Sequence, residues 1–209
     1  LMGGQPLLRW SAAAFAAHPA CASLTIVVPA GDEARCAEAL VGIDHRCVAG
    51  GATRQASVHA GLQALTADDD AIVLIHDAAR PGLTAAVIDR LLIALDDAAV
   101  AGAIPVLAVA DTLAQDAGGG VLGGVVPRDG LMRVQTPQAA RLGLIRHAHA
   151  AWAGAAASDD AQMLRAMGGR VQSVPGAPSL EKITLAEDLA MMERMLAPPA
   201  PCPAAAATR

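Results

Sequence analysis

Aromatic side chains are almost missing from this chain: of 209 residues one is phenylalanine, two are tryptophan and none is tyrosine. Alanine, valine and leucine must pack the core, which suits helices laid on a parallel sheet. Strong charge is missing too. A formal net charge of −5 offers no general basic surface, so nucleic acid is not an expected partner. A phosphorylated small molecule stays open, because a few arginines and helix N-termini can bind one. The four cysteines, Cys21, Cys36, Cys47 and Cys202, contain no CxxC pair. They suit a reduced cytoplasmic protein better than a zinc site or a disulfide framework. No signal peptide is visible, and the longest uncharged apolar stretch, 98–110, is too short to span a bilayer and contains Pro105. The expectation is a soluble, cytoplasmic, single-domain protein with no membrane partner. No GxGxxG follows a strand, which sets aside a dinucleotide-dependent oxidoreductase. Internal repeats are absent.

What is present centres on AIVLIHDAARP at 71–81. Ile72–Ile75 reads as a strand buried on both faces. Its carboxyl end turns abruptly into His76, Asp77, two alanines, Arg80 and Pro81, the kind of loop that gathers charge over a rigid floor in an open parallel sheet. A strand followed by a solvated turn is the plainer alternative.

Around it the chain alternates. A helix over Arg9–His18 leads to a strand at Leu24–Val28, a helix at Glu33–Val41 and a short strand at Cys47-Val48. In GGATRQASV at 50–58, two glycines relax the backbone, Arg54 offers a charge-pairing fork and Ser57 sits where a helix through Leu65 begins. That segment is either a turn with an N-cap or one wall of a nucleotide site. A helix at Thr84–Asp96 and a strand at Gly102–Val109 follow, with Pro105 marking an edge or an irregularity. Leu113–Val126, turned by Gly118–Gly120, reads as a protruding hairpin arm, which commonly finds another subunit. Gln138 leads into a helix through Trp152. On it, His147 and His149 lie two apart and read as ordinary helix-surface histidines rather than a metal pair. Ser158 is the natural N-cap of the next helix, Arg170–Val174 is the last strand, and Leu185–Leu196 is the last helix. The proline- and alanine-rich segment 197–209 reads as a disordered tail or linker.

In order, GGATRQASVHAGL (50–62), VLIHDAARP (73–81), ADT (110–112), VPRDGLMRVQTPQ (126–138), SDDAQML (158–164) and EKITLAEDLAMMER (181–194) resemble the 2-C-methyl-D-erythritol 4-phosphate cytidylyltransferases of isoprenoid biosynthesis. The combination of HDAARP, QTPQ and KIT-x-x-EDL carries the specificity. The resemblance implies an α/β, Rossmann-like nucleotidyltransferase fold with a mostly parallel sheet and a protruding β-arm at 111–127 that forms a homodimer. It implies CTP and methylerythritol phosphate as substrates, and magnesium or another divalent cation as cofactor.

Gly51 and Ser57 match nucleotide contacts, Asp77 the carboxylate beside the CTP phosphates and the metal, and Arg80 its neighbour. Thr112, Arg128, Thr136, Ser158 and Lys182 match positions around the acceptor, with Arg128 and Lys182 holding its phosphate. The family begins with a strand and a glycine-rich loop carrying an arginine, then a Pro-Lys-Gln segment. No residue of this chain matches these, so the domain at 1–196 is read as lacking its first strand and nucleotide loop. Two alternatives follow: a catalytically incomplete nucleotide-binding or dimerisation module, and a ribitol-phosphate cytidylyltransferase. Some members of the family are fused to a cyclodiphosphate synthase, which gives 197–209 a second reading as a tether to one.

Overall fold

The computed structural model describes residues 1–154 and 157–197; Cys202 and the tail expected after Ala197 lie outside the described residues. Its first half follows the periodicity of the sequence closely. Helix α1 (Leu7–Ala16) leads to β1 (Thr25–Val28), α2 (Glu33–Ala39), β2 (Arg46–Ala49), α3 (Arg54–Ala64), β3 (Ile72–Ile75) and α4 (Ala85–Ala94). Short aliphatic runs bounded by polar loops become strands, and longer runs of period 3.6 become helices.

The second half departs from expectation. Strand β4 (Val100–Ala108) runs out toward a two-stranded hairpin of β5 (Leu113–Asp116) and β6 (Leu122–Val126). Gly118, Gly119 and Gly120 make its tip, all with positive φ, a conformation that non-glycine residues resist. The chain then returns along β4 as β7 (Met132–Val134) and β8 (Gln138–Arg141). Helices α5 (Leu142–Ala151) and α6 (Asp160–Ala166), strand β9 (Arg170–Pro175) and helix α7 (Ala186–Leu196) complete the described chain.

A mostly parallel sheet does not form. Strands β1 and β2 pair in parallel, as do β4 and β9, but β3–β8, β8–β4 and β4–β7 are antiparallel. The cause is the arm: a chain that leaves along β4 and comes straight back must run against it. Strand β8 also replaces the first turn of the helix expected from Gln138. The sequence Gln138-Ala139-Ala140-Arg141 has no β-preference of its own, and pairing with β3 on one side and β4 on the other decides its state. Pro105 lies in the central strand rather than at an edge. It falls where β4 changes partner from β8 to β7, so its missing N–H breaks no ladder bond on that side.

Helices cover both faces of this sheet. Val87, Ile88 and Leu91 of α4 pack on Ala103 and Ala139. Ile145 of α5 and Met163 and Leu164 of α6 pack on Ala140 at the other face. Adjacent residues of β8 thus serve opposite cores, as the strand period of two requires.

Strands β1 and β3 are neighbours without being partners. Strand β1 pairs with β2 and β3 with β8, and between their facing edges lies a cavity of about 830 Å³ lined by Ile26, Val27, Ile72 and Leu74. It leaves β3 half-buried rather than fully buried, with Ile72 36% exposed. Arg54, Ser57 and Asp77 also line this cavity.

Candidate active site

The site grows from the loop after β3. His76 is half-buried with its ring edge-on to Phe15, centroids 5.5 Å apart. Its Nε2 lies 3.0 Å from the Arg80 carbonyl oxygen and its Nδ1 3.0 Å from Oγ1 of Thr136. The same hydroxyl oxygen accepts the Asp77 N–H at 3.0 Å. Burial above all pulls the imidazole down to about 4, so the ring is neutral at ordinary pH. Neutral His76 then donates from Nε2 to Arg80 and accepts from Thr136 at Nδ1, which satisfies every partner. The loop is wrapped around this histidine.

Three cations meet on Asp77. Arg54 Nε lies 3.4 Å from Oδ1, Lys182 Nζ 3.2 Å from Oδ2 and Arg80 Nε 3.6 Å from Oδ2. Burial pushes the Asp77 carboxyl up, but Arg54, then Lys182 and Arg80, outweigh it and hold the group below the usual carboxylate range. Each cation arrives from a different part of the chain. Arg54 opens α3, whose N-cap is Thr53, accepting from Ala56 N–H at 3.1 Å. Lys182, the chain's one lysine, sits on the segment before α7. That segment is clipped to the loop where Ile183 N–H donates to the Ala79 carbonyl at 2.9 Å and Arg80 Nη1 donates to the Leu180 carbonyl at 2.7 Å. Asp188 fixes the turn that follows by accepting from the N–H groups of Thr184 and Leu185, both at 2.8 Å.

Gly51 and Ser57 are brought together. Ser57 lies one turn inside α3 rather than at its start, and its hydroxyl oxygen accepts from Gly51 N–H at 3.1 Å. A Cβ on Gly51 would fall 2.5 Å from that of Ala56, so only glycine allows this approach. Thr136 is buried behind Asp77. Thr112 and Arg128 lie exposed at the foot of the arm, where Arg128 donates to the Ala110 carbonyl. Arg128 makes no ion pair with the Asp77 cluster among the described residues. Ser158 is exposed and does not cap α6; Asp159 does, accepting from Gln162 N–H at 2.7 Å. An aspartate caps as well as a serine, so sequence alone left that choice open.

The sequence reading missed part of the cluster. Arg54 Nη2 also reaches Asp160 Oδ2 at 2.9 Å, and Asp160 Oδ1 lies 3.0 Å from His149 Nε2. His149 is therefore not a helix-surface histidine: it is buried, while His147 is exposed. The Arg54 guanidinium titrates above its ordinary value; burial pulls it down, but Asp160 and then Asp77 outweigh burial. The motif 50–58 pointed to Arg54, and the acidic pair at 159–160 was legible only as a helix start. Three cations against two carboxylates leave a net positive pocket at the carboxyl end of β3, suited to a phosphorylated ligand.

Similarity to known proteins is extensive. A family profile described as "IspD: 2-C-methyl-D-erythritol 4-phosphate cytidylyltransferase" matches residues 1–197. A protein of Rhizorhabdus wittichii named "Bifunctional enzyme IspD/IspF" is 54% identical over 198 residues, covering 94% of this chain and 50% of that protein. Its namesake from Sphingopyxis alaskensis is 48% identical over 194 residues, covering 92% of this chain and 48% of its own length. This chain thus spans about half the length of the curated relatives it matches. The crystal structure of 2-C-methyl-D-erythritol 4-phosphate cytidylyltransferase from Thermus thermophilus superposes with a TM-score of 0.82 at 39% identity, over 93% of this chain and 91% of that one.

Proposed function

Because the chain belongs to the 2-C-methyl-D-erythritol 4-phosphate cytidylyltransferase family, we propose that this domain transfers a cytidylyl group from CTP to 2-C-methyl-D-erythritol 4-phosphate and releases pyrophosphate. The observation that carries this reading is the convergence of Arg54, Arg80 and Lys182 on Asp77 beside the Gly51–Ser57 turn. An acceptor phosphate oxygen forms a bond to the α-phosphorus of CTP while the bond to the pyrophosphate oxygen breaks. Such a reaction asks the protein for alignment and charge neutralisation more than for covalent chemistry. Lys182 and Arg80 would supply charge beside Asp77, and Arg128 would reach the acceptor from the foot of the arm.

A divalent cation fits this donor set through one carboxylate only. Asp77 lines the cavity whereas Asp160 is buried away from it, and the described residues hold no cluster of three His, Cys, Asp or Glu side chains suited to a metal. Magnesium commonly needs no more than one or two carboxylates plus phosphate oxygens. Asp77 would hold it with the nucleotide, and when bound it would neutralise charge on the phosphates.

Strands β1 and β3 support a second element of the reading. Their facing edges leave room for one more strand, and a strand there would end beside Ser57 and Asp77, where a glycine-rich nucleotide loop is expected. Pyrophosphate release from CTP and the acceptor, measured for residues 1–209 and for a version extended upstream from its own gene, tests both ideas. Turnover confined to the extended protein supports the missing strand. A strong preference for ribitol phosphate or another nucleotide overturns the substrate assignment.

The arm at 111–127 supports a homodimer, because Val121, Leu122 and Val125 are 61%, 78% and 70% exposed on it. The relatives' name and length support the reading of 197–209 as a tether to a cyclodiphosphate synthase. Sequencing past the codon for Arg209 tests it: an immediate stop removes the idea. No described helix is long and apolar enough to cross a membrane.

A further inference from the structure

We propose that His149 and Asp160 are positioning residues that lock the Arg54 guanidinium in place for the nucleotide, through a buried chain running His149–Asp160–Arg54–Asp77. The inference rests on the nucleotidyl-transfer reading and concerns residues to which the motif match gave no role.

The chain of contacts is continuous. Arg54 bridges two carboxylates, with Nε 3.4 Å from Asp77 Oδ1 and Nη2 2.9 Å from Asp160 Oδ2. Its side chain stays 34% exposed, whereas those of Asp160 and His149 are 2% and 1% exposed. The open end of the chain is thus a cation at the cavity, and the closed end is anchored in the interior. Asp160 reaches that interior because it opens α6, and Ala161 N–H is held by Gln138 Oε1 at 2.9 Å. His149 comes from α5 and stacks on His59 of α3, ring centroids 6.1 Å apart. Helices α3, α5 and α6 thus each contribute a member to this set of contacts.

A buried carboxylate is costly unless it is paired and hydrogen-bonded. Here both oxygens of Asp160 are engaged, one by Arg54 and one by His149. A purely architectural polar contact at this place would need no exposed member. Arg54 alone, on a flexible side chain, would turn toward bulk water or fold onto Asp77. Held at Nε and Nη2 by two carboxylates it keeps its remaining donors in one orientation, which is how a fork reads phosphate. Asp160 fixes the fork, and His149 fixes Asp160.

Two measurements on the full chain test this. In the first, CTP affinity is read by calorimetry for Arg54→Ala, Asp160→Asn and the double variant. Each single change should weaken CTP about tenfold, and the double variant should be no worse than Arg54→Ala, because one interaction is removed twice. Losses that multiply would overturn the proposal, as would full CTP affinity in Asp160→Asn. In the second, the Arg54 Nε–H resonance is followed by NMR without ligand. It should be sharp and slow to exchange in the unaltered protein, averaged in Asp160→Asn and His149→Leu, and restored in His149→Gln. An Arg54 signal indifferent to Asp160→Asn would overturn the lock whether or not CTP binds. Absence of CTP binding in the unaltered and upstream-extended proteins would instead sink the nucleotide reading itself.

Discussion

His76 shows how one residue sets the limits of the site. In an unfolded chain its imidazole titrates near 6.5, and in the folded one burial brings it to about 4. Between those values the unfolded state holds more protons, so stability should fall as pH is lowered through that window and be fully present above it. At about 1.4 kcal/mol per pH unit the whole effect is roughly 3 kcal/mol. Denaturant unfolding at pH 7 and pH 5 should read about 2 kcal/mol of it, and His76→Gln should flatten the difference; an equally steep loss in that variant would refute the assignment. Lys182 can be tested without turnover, since it is the chain's one lysine. An amine-reactive reagent should modify it in the free protein, with CTP and acceptor protecting it, as peptide mapping can follow. In the turnover-competent protein, Lys182→Ala or Arg128→Ala should cost roughly 1.5–3 kcal/mol, about ten- to a hundredfold in acceptor kcat/KM. Unchanged acceptor kinetics in both variants would remove these residues from the acceptor site.

At the scale of elements, the site depends on one close approach. The loop after β3 and the turn at Pro178–Leu180 touch at Gly82, where a Cβ would fall 2.2 Å from the Ser179 carbonyl oxygen. Gly82→Ala must push these segments apart, and with them Arg80 from Leu180 and Ile183 from Ala79. A loss of about 1–3 kcal/mol in urea unfolding is expected, together with weaker protection of Lys182. No change in either would show that the contact yields freely. The arm is an element of the opposite kind, with almost none of its residues buried against the body. If it docks a second copy, Leu122→Asp with Val125→Asp should convert a dimer to monomer by light scattering, leaving the circular dichroism of the body intact. A monomeric unaltered protein would remove the dimer proposal.

For the molecule as a whole, the cavity between β1 and β3 divides the sheet. Backbone N–H groups that face it lack ladder partners, so hydrogen exchange at Val27, Ile72 and Leu74 should be much faster than in β4 and β8. In the upstream-extended protein, protection of the same amides should rise. Equal and strong protection in the chain as it stands would mean that the two edges close on each other in solution.

The sequence by itself determined the helices, the aliphatic strands, the glycine tip of the arm and the loop carrying Asp77. Each is written in a local pattern of period, cap or turn residue, and the segments that carry the family resemblance lie in the same local runs. Pairing was settled by the tertiary structure alone. Strand β8, with Ala139 and Ala140 at its centre, has nothing local to mark it, and only neighbours on both edges make it a strand and turn the sheet antiparallel. The same holds for the charge chain. Arg54, Asp77, Asp160, Lys182 and His149 are scattered over more than half the chain, and His149 looks like any polar position on an amphipathic helix. Which of them touch depends on where α3, α5, α6 and the segment before α7 converge, because the energy of a buried charge is set by its partners in space rather than by its neighbours in sequence.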